Sequence, residues 1–109
     1  MDNELLSTKK LFKKEFYRSA GAICGVLLEK HFSSILLAHG ITIKKKDPCI
    51  SDYNDLLKTE GIYDTVNWRF IQHLGDIRNL CDHNKDRNPT KEEVEELING
   101  TDKVIKTIF

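Results

Sequence analysis

The chain has 109 residues, enough for one domain whose core needs neither disulfides nor metal. Hydrophobic residues make up 39% and charged residues 31%, as in an ordinary soluble globular protein, and the supply of Val, Ile and Leu excludes a disordered chain. Lys plus Arg number 17 and Asp plus Glu number 17, so the formal charge is zero. That balance argues against a blanket electrostatic nucleic-acid binder and leaves room for a local basic patch. Cys24, Cys49 and Cys81 are widely spaced and form no CxxC pair, which argues against a disulfide scaffold or structural zinc. The N-terminus MDNELLSTKK is not a signal peptide, and the longest apolar stretch, 20–28, is too short for the roughly 20 residues that a membrane span takes. These features predict a reduced, cytoplasmic, soluble protein without membrane contact.

The apolar pattern is helical almost throughout. From Leu5 to about His39 it reads as one long helix, or as two broken near Ser19-Ala20-Gly21. Gly21 and Gly25 share a face; either they let another helix approach closely, having no side chains, or they are simply two tolerated glycines. Gly40 ends the segment as a helix C′ residue. Residues 41–50 form a connector through which Pro48 forbids helix. Ser51 or Asp52 caps a short helix from Tyr53 to about Glu60, stopped by Gly61. Asp64 or Thr65 opens a third main helix with Val66, Phe70, Ile71, Leu74, Ile77, Leu80 and Cys81 at its apolar positions. Asn84 to Pro89 is a loop by composition. Thr90 and Glu93 form a capping box that starts the last helix, with Val94, Leu97, Ile98, Val104, Ile105 and Ile108 on its apolar stripe. The expected fold is an all-α, up-and-down bundle of four to five helices spanning residues 1–109 as a single domain.

Arg78, Asn79, Asp82 and His83 cluster at the end of the third main helix. Arg78 and Asp82 face the same way, as do Asn79 and His83. Arg78 and His83 are separated by about 140° on an ideal helix, so one straight helix would not aim both at one point. A distorted helix end or a second copy of the chain would be needed. The cluster suits a phosphate or similar anion, with His83 moving a proton. It equally suits a plain helix terminus, with a dipole-compensating His and a surface Arg78–Asp82 pair.

The string Arg78-Asn79-Leu80-Cys81-Asp82-His83 has the RN-x-x-x-H form found in the HEPN superfamily (higher eukaryote and prokaryote nucleotide-binding domains), and the chain resembles bacterial members of it. Ala20-Gly21-Ala22 through Gly25-Val26-Leu27-Leu28-Glu29 is similar to the small-residue stretch of their long helix. Trp68-Arg69 through Gly75-Asp76-Ile77, leading into the motif, and Pro89 to Glu93, opening the last helix, agree as well. The resemblance covers about residues 15–109 and implies a HEPN-type bundle. It also implies a metal-independent endoribonuclease, working as a homodimer in which two motifs share one cleft. In that reading Arg78 binds the scissile phosphate, His83 is the general acid or base, and Asn79 orients the phosphate or His83. Attack of the 2′-hydroxyl would leave a cyclic phosphate, so RNA and not DNA is the substrate. Such proteins serve as toxins or antiphage effectors. They often accompany a further domain, an antitoxin or another regulator, and the chain is then one piece of a longer protein. Other members have lost activity and act as dimerising or nucleotide- or RNA-binding modules. A third possibility is a structural bundle in which Arg78 and His83 are both satisfied within one chain.

Lys85 and Arg87 follow the motif and are candidate RNA contacts at the cleft rim. Lys9, Lys10, Lys13, Lys14 and Arg18, and Lys44 to Lys46, either guide RNA phosphates into a cleft or, as is commoner for such runs, are solvated basic faces. Cys81, His83 and His73 do not make a convincing metal set, and neither a metal nor another cofactor is expected. His31 and His39 read as surface or interface groups. Glu29 is expected either to pair with Arg69 or Arg78 or to face solvent. Trp68 reads as a core or interface anchor.

Overall fold

A computed structural model describes residues 2–82 and 87–109. These form five helices with no strand among the described residues: α1 (Asp2–Lys13), α2 (Tyr17–Ala38), α3 (Ile50–Thr59), α4 (Thr65–Leu80) and α5 (Lys91–Thr107). The all-α bundle expected from the periodicity is therefore what forms.

α2 lies at the centre and packs against each of the other four helices. Its 22 residues are long and apolar enough to cross a membrane by composition, but more than half of its most apolar window is buried inside the bundle. That is the pattern of a core helix with neighbours on most of its faces and an exposed stripe through Ala22, Val26 and Leu37. Cys24, Leu28 and Phe32 from α2 meet Ile71, Leu74 and Ile77 from α4 and Val94, Leu97 and Val104 from α5 in one buried cluster. Val66, placed on the apolar stripe of α4 by spacing, is instead largely exposed.

The first segment breaks at residues 14–16, earlier than the expected Ser19-Ala20-Gly21. Glu15 sits in the left-handed region at φ 66°. Its N–H donates to the Phe12 carbonyl at 3.0 Å and the Phe16 N–H to the Leu11 carbonyl at 2.9 Å. That pair of bonds is a Schellman cap with Glu15 at C′. The same cap closes α2 through Gly40 and α3 through Gly61, as their glycines indicate. Glutamate is an uncommon occupant of that position, and so the break left no mark in the sequence.

α3 also starts three residues earlier than expected. Cys49 is its N-cap, and Asp52, instead of capping, stands at the third helical position and accepts the Cys49 N–H at 2.9 Å. α4 begins at its expected cap, Asp64, whose carboxylate accepts from the Asn67 N–H at 3.1 Å. The Thr90–Glu93 capping box opens α5 as expected.

Candidate active site

The site is built where α4 ends against the middle of α2. The small face of α2 makes this possible. A Cβ on Gly21 would lie 2.1 Å from the Cys81 Sγ, and one on Gly25 would lie 2.8 Å from the Arg78 Cγ and 2.5 Å from its Nε. The two glycines therefore do seat a neighbouring helix, and Gly25 seats the aliphatic stem of Arg78 itself. Burial against this seam pushes the Cys81 thiol above its usual range despite the nearby Arg18 and Arg78 charges.

Arg78 is held at its root and only partly engaged at its head. Its Nη1 donates to the Asp82 Oδ1 at 2.8 Å, the pair that their spacing of four predicts. Its Nε is buried and meets no hydrogen-bond partner among the described residues. The side chain as a whole keeps 28% exposure. A guanidinium fixed in this way, with donor capacity left over, can receive an anionic oxygen without first being ordered.

Beside it is a small cavity of about 60 Å³, room for a few water molecules, lined by Glu29, Ser51, Gln72, Asp76, Arg78 and Asn79 among others. Glu29 is half-buried there. Burial raises its carboxyl above the ordinary range, while the Arg78 charge pulls it back down. Of the alternatives for Glu29, the structure favours the neighbourhood of Arg78, although the ion pair of Arg78 is with Asp82; Arg69 is exposed. Asn79 is exposed at the rim. Gln72, Asp76 and Asn79 were not singled out together by sequence. Their i, i+4, i+7 spacing, a polar stripe on a core helix, was the available signal.

Arg18 is the larger surprise. It is no part of a solvated strip. Its Nη1 donates to the Asp82 carbonyl at 2.5 Å, and its Nε and Nη2 both reach the Asn88 Oδ1, at 3.0 and 2.6 Å. One side chain at the start of α2 thus grips the chain on both sides of residues 83–87. Lys9, Lys10, Lys13 and Lys14 are exposed, as are Lys44 to Lys46.

His83 and Lys85, expected as a catalytic residue and an RNA contact, lie outside the described residues. Arg87 is exposed, and its guanidinium forks onto both Glu93 oxygens at 2.8 and 2.7 Å. Together with the Thr90 N–H, that fork brings the Glu93 carboxyl down to about 2. Arg87 therefore braces the start of α5.

Among the described residues no group of three or more His, Cys, Asp and Glu could hold a metal ion. His73 instead bonds Glu96 on α5 at 2.8 Å. His31, expected at the surface or an interface, is buried because the chain's end folds over it. Its Nε2 lies 2.6 Å from the Ile108 carbonyl, and the His39 Nε2 lies 3.3 Å from the Phe109 carbonyl. Trp68 is a half-buried anchor, its Nε1 donating to Asp55 at 2.9 Å.

A family model described as HEPN domain matches residues 2–108, essentially the whole chain. No curated protein and no solved structure matches it. With an all-helical bundle in place and the match running from end to end, the chain belongs to the HEPN domain family, which includes ribonucleases and toxin or defence effectors.

Proposed function

We propose that the protein is a metal-independent endoribonuclease acting in the cytoplasm as a toxin or antiphage effector, on a site shared by two copies of the chain. The observation that carries this reading is Arg78: its stem is locked onto Gly25, its head is partly exposed, and one of its donors has no partner among the described residues. In the reaction the scissile phosphate takes the place of the Asp82 carboxylate on Arg78. That exchange is easy, because a part-exposed pair such as Arg78–Asp82 contributes only about 0–1 kcal/mol. Arg78 then stabilises the negative charge that grows as the 2′-hydroxyl attacks phosphorus. His83 takes the proton of the 2′-hydroxyl or returns one to the departing 5′-oxygen. Asn79, at the rim of the cavity, orients the phosphate. Lys85 and Arg87 guide the backbone. A two-fold axis would bring His83 of one copy to Arg78 of the other and remove the angular mismatch within a single helix.

The in-chain Arg78–Asp82 pair favours a second reading, a catalytically silent module that dimerises or binds RNA or nucleotide within a larger protein. One experiment decides between the two. Wild type and His83→Ala are incubated with single-stranded and structured RNA in excess EDTA, and the product ends are analysed. The ribonuclease reading expects 2′,3′-cyclic phosphate ends from wild type and none from the variant. Equal products from both, with a dimer confirmed in the sample, leave the silent module.

A further inference from the structure

α4 ends differently from the helices before it. α1, α2 and α3 each close on a left-handed residue, Glu15, Gly40 or Gly61, through bonds made within the same stretch of chain. Asp82 stands at the matching place after α4 and is not left-handed. The last turn is drawn tight instead. The Cys81 N–H donates to the Arg78 carbonyl at 3.0 Å and the Asp82 N–H to the Asn79 carbonyl at 3.2 Å, three residues back in each case. Such a turn has poorer hydrogen-bond geometry than the α-helix it ends. The two carbonyls that hold it shut belong to Arg78 and Asn79, so the backbone of both candidate site residues depends on it.

The closure comes from another helix. The Arg18 Nη1 donates to the Asp82 carbonyl, while Nε and Nη2 of the same guanidinium donate to the Asn88 Oδ1. The final carbonyls of a helix lack partners of their own, and a guanidinium satisfies one while its charge complements the negative end of the helix dipole. Asp82 is thereby strung between two arginines, its carbonyl on Arg18 and its carboxylate on Arg78. A phosphate arriving at Arg78 displaces the second attachment and leaves the first. Arg18 sits on the α2 face that carries the glycine seats, with Gly21 and Gly25 following at intervals of three and four.

We propose that Arg18 is a positioning residue of the site. It keeps the last turn of α4 closed, and Arg78 and Asn79 in place, while an RNA phosphate occupies the position of the Asp82 carboxylate. This rests on the ribonuclease reading of Arg78. Arg18 acts through Asp82 and Asn88, with all three guanidinium nitrogens engaged by protein acceptors.

The test uses the full chain, a single-stranded oligoribonucleotide, separate kcat and KM values, and amide hydrogen exchange. In Arg18→Gln, kcat should fall about tenfold with KM within about twofold, because Arg78 and its charge remain while its placement is lost. Arg18→Lys keeps the charge but its ammonium does not fork onto two acceptors, so it should not restore kcat. Asn88→Ala, at an exposed position, should lower kcat in the same direction, and Asn88→Asp, whose carboxylate accepts both donors, should recover it. The Cys81 and Asp82 amides should exchange at least about tenfold faster in Arg18→Gln, with the Leu28 and Leu97 amides of the core unchanged. Restoration by Arg18→Lys, or a loss carried by KM, overturns the proposal by assigning Arg18 a direct electrostatic role. Unchanged exchange at the end of α4, or equal acceleration in the core, overturns it as well. Cleavage with kcat unchanged in Arg18→Gln removes the positioning role alone. Absence of cleavage by wild type removes the ribonuclease and the positioning role with it, and any exchange difference then marks a purely structural clamp.

Discussion

Asn54 and Arg78 are two polar side chains set between helices, and they are treated in opposite ways. Asn54, fully buried on α3, has its bonding filled: its amide donates to the Trp68 carbonyl and the Gln72 side chain at 3.0 and 3.2 Å, and its oxygen accepts the Tyr63 hydroxyl at 2.6 Å. Arg78 is clamped along its stem yet leaves a buried N–H without a partner among the described residues. A completed network in a low-dielectric interior fixes geometry, here that of α3 against α4 and so one wall of the cavity. An incomplete one carries a standing cost of desolvation. The first belongs to folding, and the second is what the proposed function draws on.

The strongest way to break this contrast is to remove each side chain. Asn54→Ala should cost about 3 kcal/mol, seen as a fall of roughly 10 °C or more in thermal midpoint, because it leaves several buried groups unpaired at once. Arg78→Ala should change stability by less than about 1 kcal/mol. On the ribonuclease reading it lowers the cleavage rate by about 100-fold or more. Comparable losses of stability in both variants would make Arg78 another structural clamp.

The seats sharpen the comparison at smaller scale. Gly21→Ala drives a Cβ into Cys81, in a seam closed on both sides, and should destabilise by about 1–3 kcal/mol in chemical denaturation. Gly25→Ala drives a Cβ into the held stem of Arg78, and the gain in helix propensity, up to about 1 kcal/mol, offsets part of that clash. It should therefore destabilise less than Gly21→Ala and, on the ribonuclease reading, lower RNA cleavage.

The smallest effect concerns acid. Glu93 is a satisfied group like Asn54, and its carboxyl is brought down to about 2 by the Arg87 fork and the Thr90 N–H. A depressed carboxyl contributes stability that is complete above its unfolded pKa of about 4.3 and disappears as the pH falls towards 2. The difference in thermal midpoint between wild type and Glu93→Gln should accordingly be constant from neutrality to about pH 5 and close below it. A difference that persists at pH 2 would mean that Glu93 acts through packing rather than charge.

What the sequence disclosed was local. The Thr90–Glu93 box, the glycine stops at Gly40 and Gly61, the Gly21/Gly25 seat and the Arg78–Asp82 pair all depend on residues within a few positions or on one helical face. What it concealed depends on distance. Arg18 finds Asp82 and Asn88 some 64 and 70 residues away, and His31 is buried by a carbonyl 77 residues later. No spacing rule reaches that far. The break at Glu15 was hidden for a different reason: a left-handed residue that is not glycine looks like any other helical glutamate.

The cysteines supply a chemical clock for the seam that holds Arg78. Cys49 is exposed, whereas Cys24 and Cys81 are buried, the Cys24 thiol pushed up to about 11. A thiol reagent at neutral pH should consume Cys49 at once and then wait for the bundle to open. Because the Cys81 Sγ rests against Gly21, its labelling rate measures how often the end of α4 lifts from α2, in the intact protein and without a probe attached. RNA that draws on Arg78 should slow that clock while leaving the reaction of Cys49 as it was.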